Sequence, residues 1–85
     1  MSIYDPLRIF LENAAADMSE MTLSFQRIER ILSFALPASA RRYRQWWENP
    51  RTPGQHSQAQ AWLAAGWKVD TVDQRRERVR FRRLS

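Results

Sequence analysis

The chain has 85 residues, which suffice for one small hydrophobic core, so we expect a single domain over residues 1–85. It contains no cysteine, which excludes disulfides, thiolate metal sites and cysteine nucleophiles. No apolar run approaches the roughly 20 residues that span a bilayer, and residues 1–10 lack the pattern of a secretory signal. We therefore expect a cytoplasmic protein without membrane attachment.

The charge of the chain is unevenly distributed. Residues 1–40 carry three arginines against five acidic residues, whereas residues 41–85 carry eleven basic residues against four acidic ones. Thirteen of the fourteen basic residues are arginines, whose guanidinium groups match phosphates and base edges better than lysine does. The basic half favours a polyanionic partner, and the alternative interpretation is a solvated, arginine-rich surface.

The first two helices are predicted from helical spacing of apolar residues. "YDPLRIFLENAAADM" indicates a first helix with Asp5 as its cap and Pro6 at the first helical position. A short extended segment is predicted at residues 21–23. Ser24 is the expected cap of a second helix. The buried stripe of that helix is predicted to be Phe25, Ile28, Ile31 and Leu32.

A third helix is predicted over "ARRYRQWWEN", residues 40–49, with Ser39 as its cap. Pro37 prevents the second helix from continuing through Leu36. Two helices separated by a four- to five-residue turn at residues 35–38 are typical of a helix-turn-helix.

The aromatic residues of this third helix are expected to anchor it. Tyr43 and Trp47 are four residues apart, so they share one face and are predicted to enter the core. Trp46 lies off that face and is expected to pack against Trp62 or Trp67, with stacking on a nucleic-acid base as the alternative.

The last third of the chain predicts a loop, a short helix and a hairpin. The loop "PRTPGQHSQ" precedes a helix capped by Ser57 and ended by Gly66. The hairpin has its turn near residues 73–77. Its inward residues are predicted to be Trp67, Val69, Thr71, Val79 and Phe81, and Arg78, Arg80 and Arg82 are predicted to face outward. We therefore expect an α+β fold, a small helical domain with a helix-turn-helix followed by a C-terminal β-hairpin, which is winged-helix-like.

Three motifs resemble a known group of sequences. "LPASAR", "WWEN" and "QAQAWLAAGWKV" occupy residues 36–41, 46–49 and 58–69, and shorter matches lie at residues 23–25, 28–29 and 31–32. In these motifs the chain resembles a widespread group of small, mostly uncharacterised bacterial and phage proteins. The resemblance covers about three quarters of the chain and implies a domain of the same type, but no particular activity.

The sequence offers little to support catalysis. His56 is the only histidine, and it lies in the Pro/Gly-containing loop without a recognisable nucleophile motif, so we interpret it as a solvated loop residue. No group of histidine and acidic residues has metal-ligand spacing, and two glycines are too few for a phosphate-binding loop. We expect no enzyme activity and no cofactor.

The leading hypothesis is a small DNA-binding protein of the winged helix-turn-helix type, with a regulator among its expected roles. Arginine, glutamine and asparagine form paired hydrogen bonds with guanine and adenine edges. The predicted residues on the third helix are Arg41, Arg42, Arg44, Gln45 and Asn49, and those on the wing are Arg75, Arg76, Arg78, Arg80 and Arg82. Arg41 and Arg42 are expected in the first turn, where cations oppose the helix dipole and gain nothing for the fold. The expected partner is duplex DNA, bound by a dimer or with a larger partner.

The alternative hypothesis is a protein-interaction module, such as a phage- or plasmid-encoded inhibitor that binds a host nucleic-acid-handling protein. The exposure of the tryptophans separates the two hypotheses. Two or more exposed tryptophans in one patch would favour the interaction module, whereas four buried tryptophans with an arginine-lined surface would favour DNA.

Overall fold

This computed structural model describes residues 2–50 and 57–84. The elements in chain order are α1 (Asp5–Glu12), β1 (Glu20–Ser24), α2 (Phe25–Leu32), α3 (Ala38–Arg42), a 3₁₀ helix (Arg44–Trp47), α4 (Ser57–Ala64), β2 (Trp67–Asp73) and β3 (Arg78–Arg83). The three strands form one antiparallel sheet in the order β1-β3-β2. The predicted α+β fold with a C-terminal hairpin is confirmed.

Helix α1 begins one residue earlier than the prediction placed it. Asp5 is the first helical residue, and Tyr4 occupies the cap position without a side-chain hydrogen bond. The Asp5 carboxylate instead accepts a hydrogen bond from the Ser2 backbone N–H at 3.3 Å. Leu7 and Leu11 are buried, so the apolar face of the helix contacts the core as its spacing predicted.

The short extended segment predicted before the second helix is confirmed as strand β1, which pairs with the central strand β3. Ser24 ends the strand and caps α2, because its hydroxyl accepts a hydrogen bond from the Arg27 backbone N–H at 3.0 Å. Phe25, Ile28 and Leu32 are buried and Ile31 is half-buried. Helix α2 ends at Leu32, and the next residue, Ser33, has a φ of 68° that turns the chain out of the helix.

The prediction of one continuous third helix is wrong. Helix α3 ends at Arg42, Tyr43 is extended with φ −122° and ψ 125°, and the 3₁₀ helix follows. A continuous helix would use the Ala40 carbonyl to accept from the residue-44 N–H. Here the indole N–H of Trp47 donates to that carbonyl at 2.8 Å, and the side-chain amide of Gln74 donates to it at 3.0 Å.

The helix break changes the roles of the aromatic residues and of the caps. The predicted core position of Tyr43 is wrong, since its side chain is 55% exposed, whereas the burial predicted for Trp47 is confirmed at 2%. Pro37, not Ser39, stands at the cap position of α3. Trp46 is half-buried and packs against Tyr4 and Trp47, with ring centroids 6.0 and 4.6 Å apart, instead of against Trp62 or Trp67.

Helix α4 is described from Ser57 onward, so the cap predicted for it lies at the edge of the described residues and is not tested. Gly66 ends the segment as predicted, with φ 86° and its N–H donating to the Leu63 carbonyl at 3.0 Å.

The hairpin turn lies at residues 74–77, as predicted. A bulge in β2 between Val69 and Thr71 shifts the alternation, so that Val72 is buried and Thr71 is exposed, contrary to the prediction.

An aromatic column runs through the core between the helices and the sheet. The rings of Phe25 and Trp47 are stacked at 5.1 Å, Trp47 is stacked on Trp62 at 5.9 Å, and Trp62 contacts Phe81 of β3 at 5.8 Å. Aromatic burial of this kind contributes a large share of the stability of a small domain. In the part of the chain that the structure describes, none of the helices has the length and apolar character needed to cross a membrane.

Candidate nucleic-acid interface

Arg41 is paired with two acidic residues of other elements, in a partly exposed position. Its Nε donates to Glu77 at 2.9 Å and its Nη1 donates to Glu29 at 3.2 Å, and its guanidinium carbon lies 5.7 Å from the centre of the Phe25 ring. Arg41 and Arg42 lie in the last turn of α3, not in the first turn as predicted, so their charges favour the helix dipole instead of opposing it. Arg41 therefore positions α3 and is engaged with the rest of the chain.

Glu29 is the centre of this ion-pair network. Its carboxylate accepts the Leu36 backbone N–H at 2.7 Å, which fixes the turn between α2 and α3. This hydrogen bond, followed by the Arg41 guanidinium, lowers the pKa of Glu29 from its ordinary value. In turn, the hydrogen bonds to Glu29 and Glu77 raise the pKa of Arg41.

The first and last residues of the hairpin turn, Gln74 and Glu77, form hydrogen bonds with α3 and α2. Gln74 donates to the Ala40 carbonyl, and the Glu77 carbonyl accepts the Phe25 N–H at 2.8 Å. Because residues 74 and 77 both contact the helices, Arg75 and Arg76 between them lie beside α3.

Several exposed arginines at this end of the molecule have no acidic partner within the described residues. Arg42 and Arg44 flank the extended Tyr43, and residues 42–45 are all exposed. Arg75 lies in the hairpin turn, and Arg78 begins β3 on the sheet face opposite to the buried Val79. Arg76 is included with them because its one acidic neighbour, Asp73, is 4.0 Å away in a strongly exposed pair. We call this set the tip surface, defined by Arg42, Arg44, Arg75, Arg76 and Arg78.

Two predicted wing arginines are largely neutralised by neighbours in the sheet. Arg80 pairs with Asp70 at 3.0 Å, and Arg82 pairs with Glu20 at 3.3 Å and with Asp70 at 3.5 Å. Strands advance about 3.3 Å per residue, so Arg82 also lies roughly 13 Å from Arg78, away from the tip. The set of unpartnered arginines is therefore smaller than the set of third-helix and wing residues predicted from the sequence.

Both polar atoms of the Asn49 side chain form hydrogen bonds within the fold. Its side-chain amide donates to the Val69 carbonyl at 2.9 Å, and its oxygen accepts the Val69 N–H and the Trp62 indole N–H, each at 2.9 Å. Asn49 thus satisfies the outer edge of β2 as a neighbouring strand would. A paired contact with adenine needs both the oxygen and the amide, so we omit Asn49 from the tip surface.

The exposure of the tryptophans falls between the two outcomes expected from the sequence. Trp47, Trp62 and Trp67 are 2% exposed or less, and Trp46 is half-buried. The exposed aromatic residue that sequence reasoning missed is Tyr43, whose position between Arg42 and Arg44 was the available signal. Tyr43, Trp46, Ser39 and Gln45 line an open groove of about 310 Å³ beside the tip surface.

No cluster of three or more histidine or acidic side chains suited to a metal ion occurs in residues 2–50 and 57–84. His56 lies outside the described residues.

Comparison with known proteins gives a family, and its description names no activity. No curated protein and no solved structure matches the chain. One family model matches residues 4–84, nearly the whole sequence. The chain belongs to the family described as "Domain of unknown function (DUF7662)".

Proposed function

We propose that the protein binds duplex DNA as a small winged helix-turn-helix protein, with the tip surface as its contact. The element order supports this proposal: α1, β1, α2, a turn and α3 precede a hairpin, and β1 pairs with the second hairpin strand. The 3₁₀ helix and α4, which lie between α3 and the hairpin, depart from the usual winged-helix order. Helix α3 follows a turn at residues 33–37, and the hairpin lies beside it as a wing would. Since α3 has only five residues, the duplex contact relies on Arg42, Arg44 and the arginines of the hairpin turn together.

The observation that carries the proposal is the distribution of unpartnered arginines. Most arginines of the described chain are held by acidic residues, backbone carbonyls or aromatic rings, as Arg41 and Arg83 are. The described arginines without such a partner are Arg30, Arg42, Arg44, Arg75 and Arg78, and four of these five belong to the tip surface. Exposed guanidinium groups without counter-charges are what a phosphate backbone requires.

The salt dependence of binding to a short blunt duplex tests the proposal. If about five phosphates are contacted, the logarithm of the affinity should fall against the logarithm of salt concentration with a slope near −4 to −5. The triple variant Arg42→Ala, Arg75→Ala, Arg78→Ala should reduce the slope by about three. Arg30→Ala is the matched control, since it removes an exposed, unpartnered arginine on α2 and should leave the slope unchanged.

A flat salt response of the wild-type protein, or no binding at about 50 mM salt, would overturn the DNA proposal. The protein-interaction alternative would then take its place. Its expected signature was a patch of two or more exposed tryptophans, and Trp46 alone reaches the surface, and only in part. The tryptophans therefore lack the signature of the interaction module, although they are not all buried as the DNA hypothesis expected.

A further inference from the structure

The helix break at Tyr43 produces a surface that a continuous helix could not have. Because Tyr43 is extended, residues 42–45 are exposed consecutively, as the sequence Arg-Tyr-Arg-Gln. The Tyr43 ring makes no ring contact with the described residues, and its side chain is more than half exposed. The exposed Tyr43 ring therefore contributes little to the core.

Trp46 lines the side of the groove opposite to Tyr43 and is held in place by several contacts with the core. It meets the Trp47 and Tyr4 rings edge-on, and its backbone carbonyl accepts a hydrogen bond from the Gln58 side chain at 3.0 Å. The backbone N–H of Trp46 also donates to the backbone carbonyl of Tyr43 at 3.2 Å, which links the two sides of the groove. The groove is therefore anchored to the core through Trp46 and open at Tyr43.

The chemistry around this groove combines stacking surfaces, cations and hydrogen-bonding groups. Tyr43 and Trp46 line the groove with aromatic rings, and Gln45 lines it with an amide. Arg42 is exposed and lies three residues after Ser39 on α3, so it adjoins the groove, whereas Arg44 lines a separate pocket with Trp47 and Asn49. A nucleotide has the complementary parts: a base to stack, a phosphate to pair with arginine, and a polar base edge. An acidic peptide would use the cations but would leave the aromatic faces without a partner.

We propose that the groove of Ser39, Tyr43, Gln45 and Trp46 holds an unpaired nucleobase of a DNA strand whose phosphate binds Arg42. This inference rests on the proposed function, because it assigns the ligand of one part of the same DNA-binding surface. A base inside a duplex is stacked on both faces and cannot enter the groove. The preferred DNA therefore carries a single-stranded segment next to the duplex held by the rest of the tip surface.

The test compares a blunt duplex with the same duplex carrying a single-stranded overhang, at one fixed salt concentration. Wild-type protein should bind the overhang substrate more tightly, and Tyr43→Ala should lose about tenfold in affinity for it while keeping its affinity for the blunt duplex. Tyr43→Phe retains the ring and should behave like the wild type. An overhang with abasic sites lacks the bases that would enter the groove, so it tests the inference with the wild-type protein. We expect the protein to bind this substrate only as tightly as the blunt duplex.

Each outcome separates this inference from the proposed function. If the wild type binds both substrates equally, or if Tyr43→Ala and abasic sites leave overhang affinity unchanged, the groove does not hold a base, although duplex binding stands. If Tyr43→Ala weakens both substrates equally, Tyr43 contacts duplex DNA and the unpaired-base assignment is wrong. If the wild type binds neither substrate, the proposed function fails as well. A melting temperature of Tyr43→Ala equal to the wild type verifies that the variant is folded.

Discussion

Arg41 and Glu77 are 36 positions apart in the sequence, and their side chains form an ion pair with Nε and Oε2 2.9 Å apart. This contact joins the last turn of α3 to the hairpin turn, and the second bond from Arg41 to Glu29 extends the link to α2. The relative placement of Arg42 and Arg75 on the tip surface therefore depends on Arg41. Arg41 and Arg42 were predicted to have the same role, but Arg41 holds the fold together and Arg42 is exposed without a partner among the described residues.

Arg41→Ala should destabilise the protein, whereas Arg42→Ala should not. Truncating Arg41 removes two ion pairs and the contact with the Phe25 ring, and leaves the Glu29 carboxylate without its cation. Because these side chains are partly exposed, we expect a loss of about 1–2 kcal/mol in the free energy of unfolding, measured by urea denaturation. Arg42 has no such partners among the described residues, so Arg42→Ala should stay within about 0.5 kcal/mol of the wild type.

The same pair of variants separates fold from binding. Arg42→Ala should weaken duplex binding and reduce the salt slope by about one. If Arg42→Ala proves as destabilising as Arg41→Ala, Arg42 has a structural role that its exposure does not indicate. If it leaves the DNA affinity unchanged, Arg42 is not a phosphate contact.

Acid should weaken the fold partly through Glu29. Its pKa in the folded state is lowered, so its contribution to stability is complete above its ordinary pKa and is lost as the pH falls through the lowered value. The wild type should therefore lose more stability between about pH 6 and pH 3 than Glu29→Gln, which cannot take up that proton. Thermal melts of both proteins across this range measure the difference. Equal losses would mean that other carboxylates account for the acid sensitivity.

Local patterns predicted most of the fold but could not predict the helix break. The Ser24 cap, the αL position of Gly66 and the hairpin turn depend on neighbouring residues, so their signals are contained in short stretches. The break after Arg42 depends instead on the Ala40 carbonyl, which accepts hydrogen bonds from Trp47 and Gln74. Gln74 is distant in sequence, and helical periodicity carries no information about it.

The candidate site shows the same limit. Sequence composition located the basic half of the chain, but it could not distinguish arginines that need an external partner from arginines that already have an internal one. That distinction depends on long-range pairs such as Arg82 with Glu20, and Arg41 with Glu77. Residue type predicted base recognition for Asn49, whereas its actual partners, Val69 and Trp62, lie across the chain.

Asn49→Ala should destabilise the protein substantially. The substitution removes the partners of the Val69 N–H, the Val69 carbonyl and the Trp62 indole N–H. Leaving such groups unpaired in a partly buried setting costs about 2–4 kcal/mol in total. Gln45→Ala is the matched control, because Gln45 is an exposed polar residue of the same segment and should leave the melting temperature unchanged. An Asn49→Ala protein as stable as this control would show that water replaces the lost hydrogen bonds, and Asn49 would again become a candidate for base recognition.

Trp47→Ala should come close to unfolding the protein. The indole stacks between Phe25 and Trp62 and donates to the Ala40 carbonyl, and its side chain is almost entirely buried. Removing such a ring from a core costs about 3–5 kcal/mol, while domains of this size have only about 5 kcal/mol in total.

Trp47→Phe separates the two contributions of the indole, since it keeps an aromatic ring in the column but cannot donate to the Ala40 carbonyl. We expect an intermediate loss, because part of the stacking remains while a buried carbonyl retains only the hydrogen bond from Gln74. Urea denaturation of the wild type and both variants gives the three free energies of unfolding. If Trp47→Phe equals the wild type, the indole N–H is not what stabilises the break in α3. If Trp47→Ala melts within a few degrees of the wild type, the aromatic column does not hold the core together.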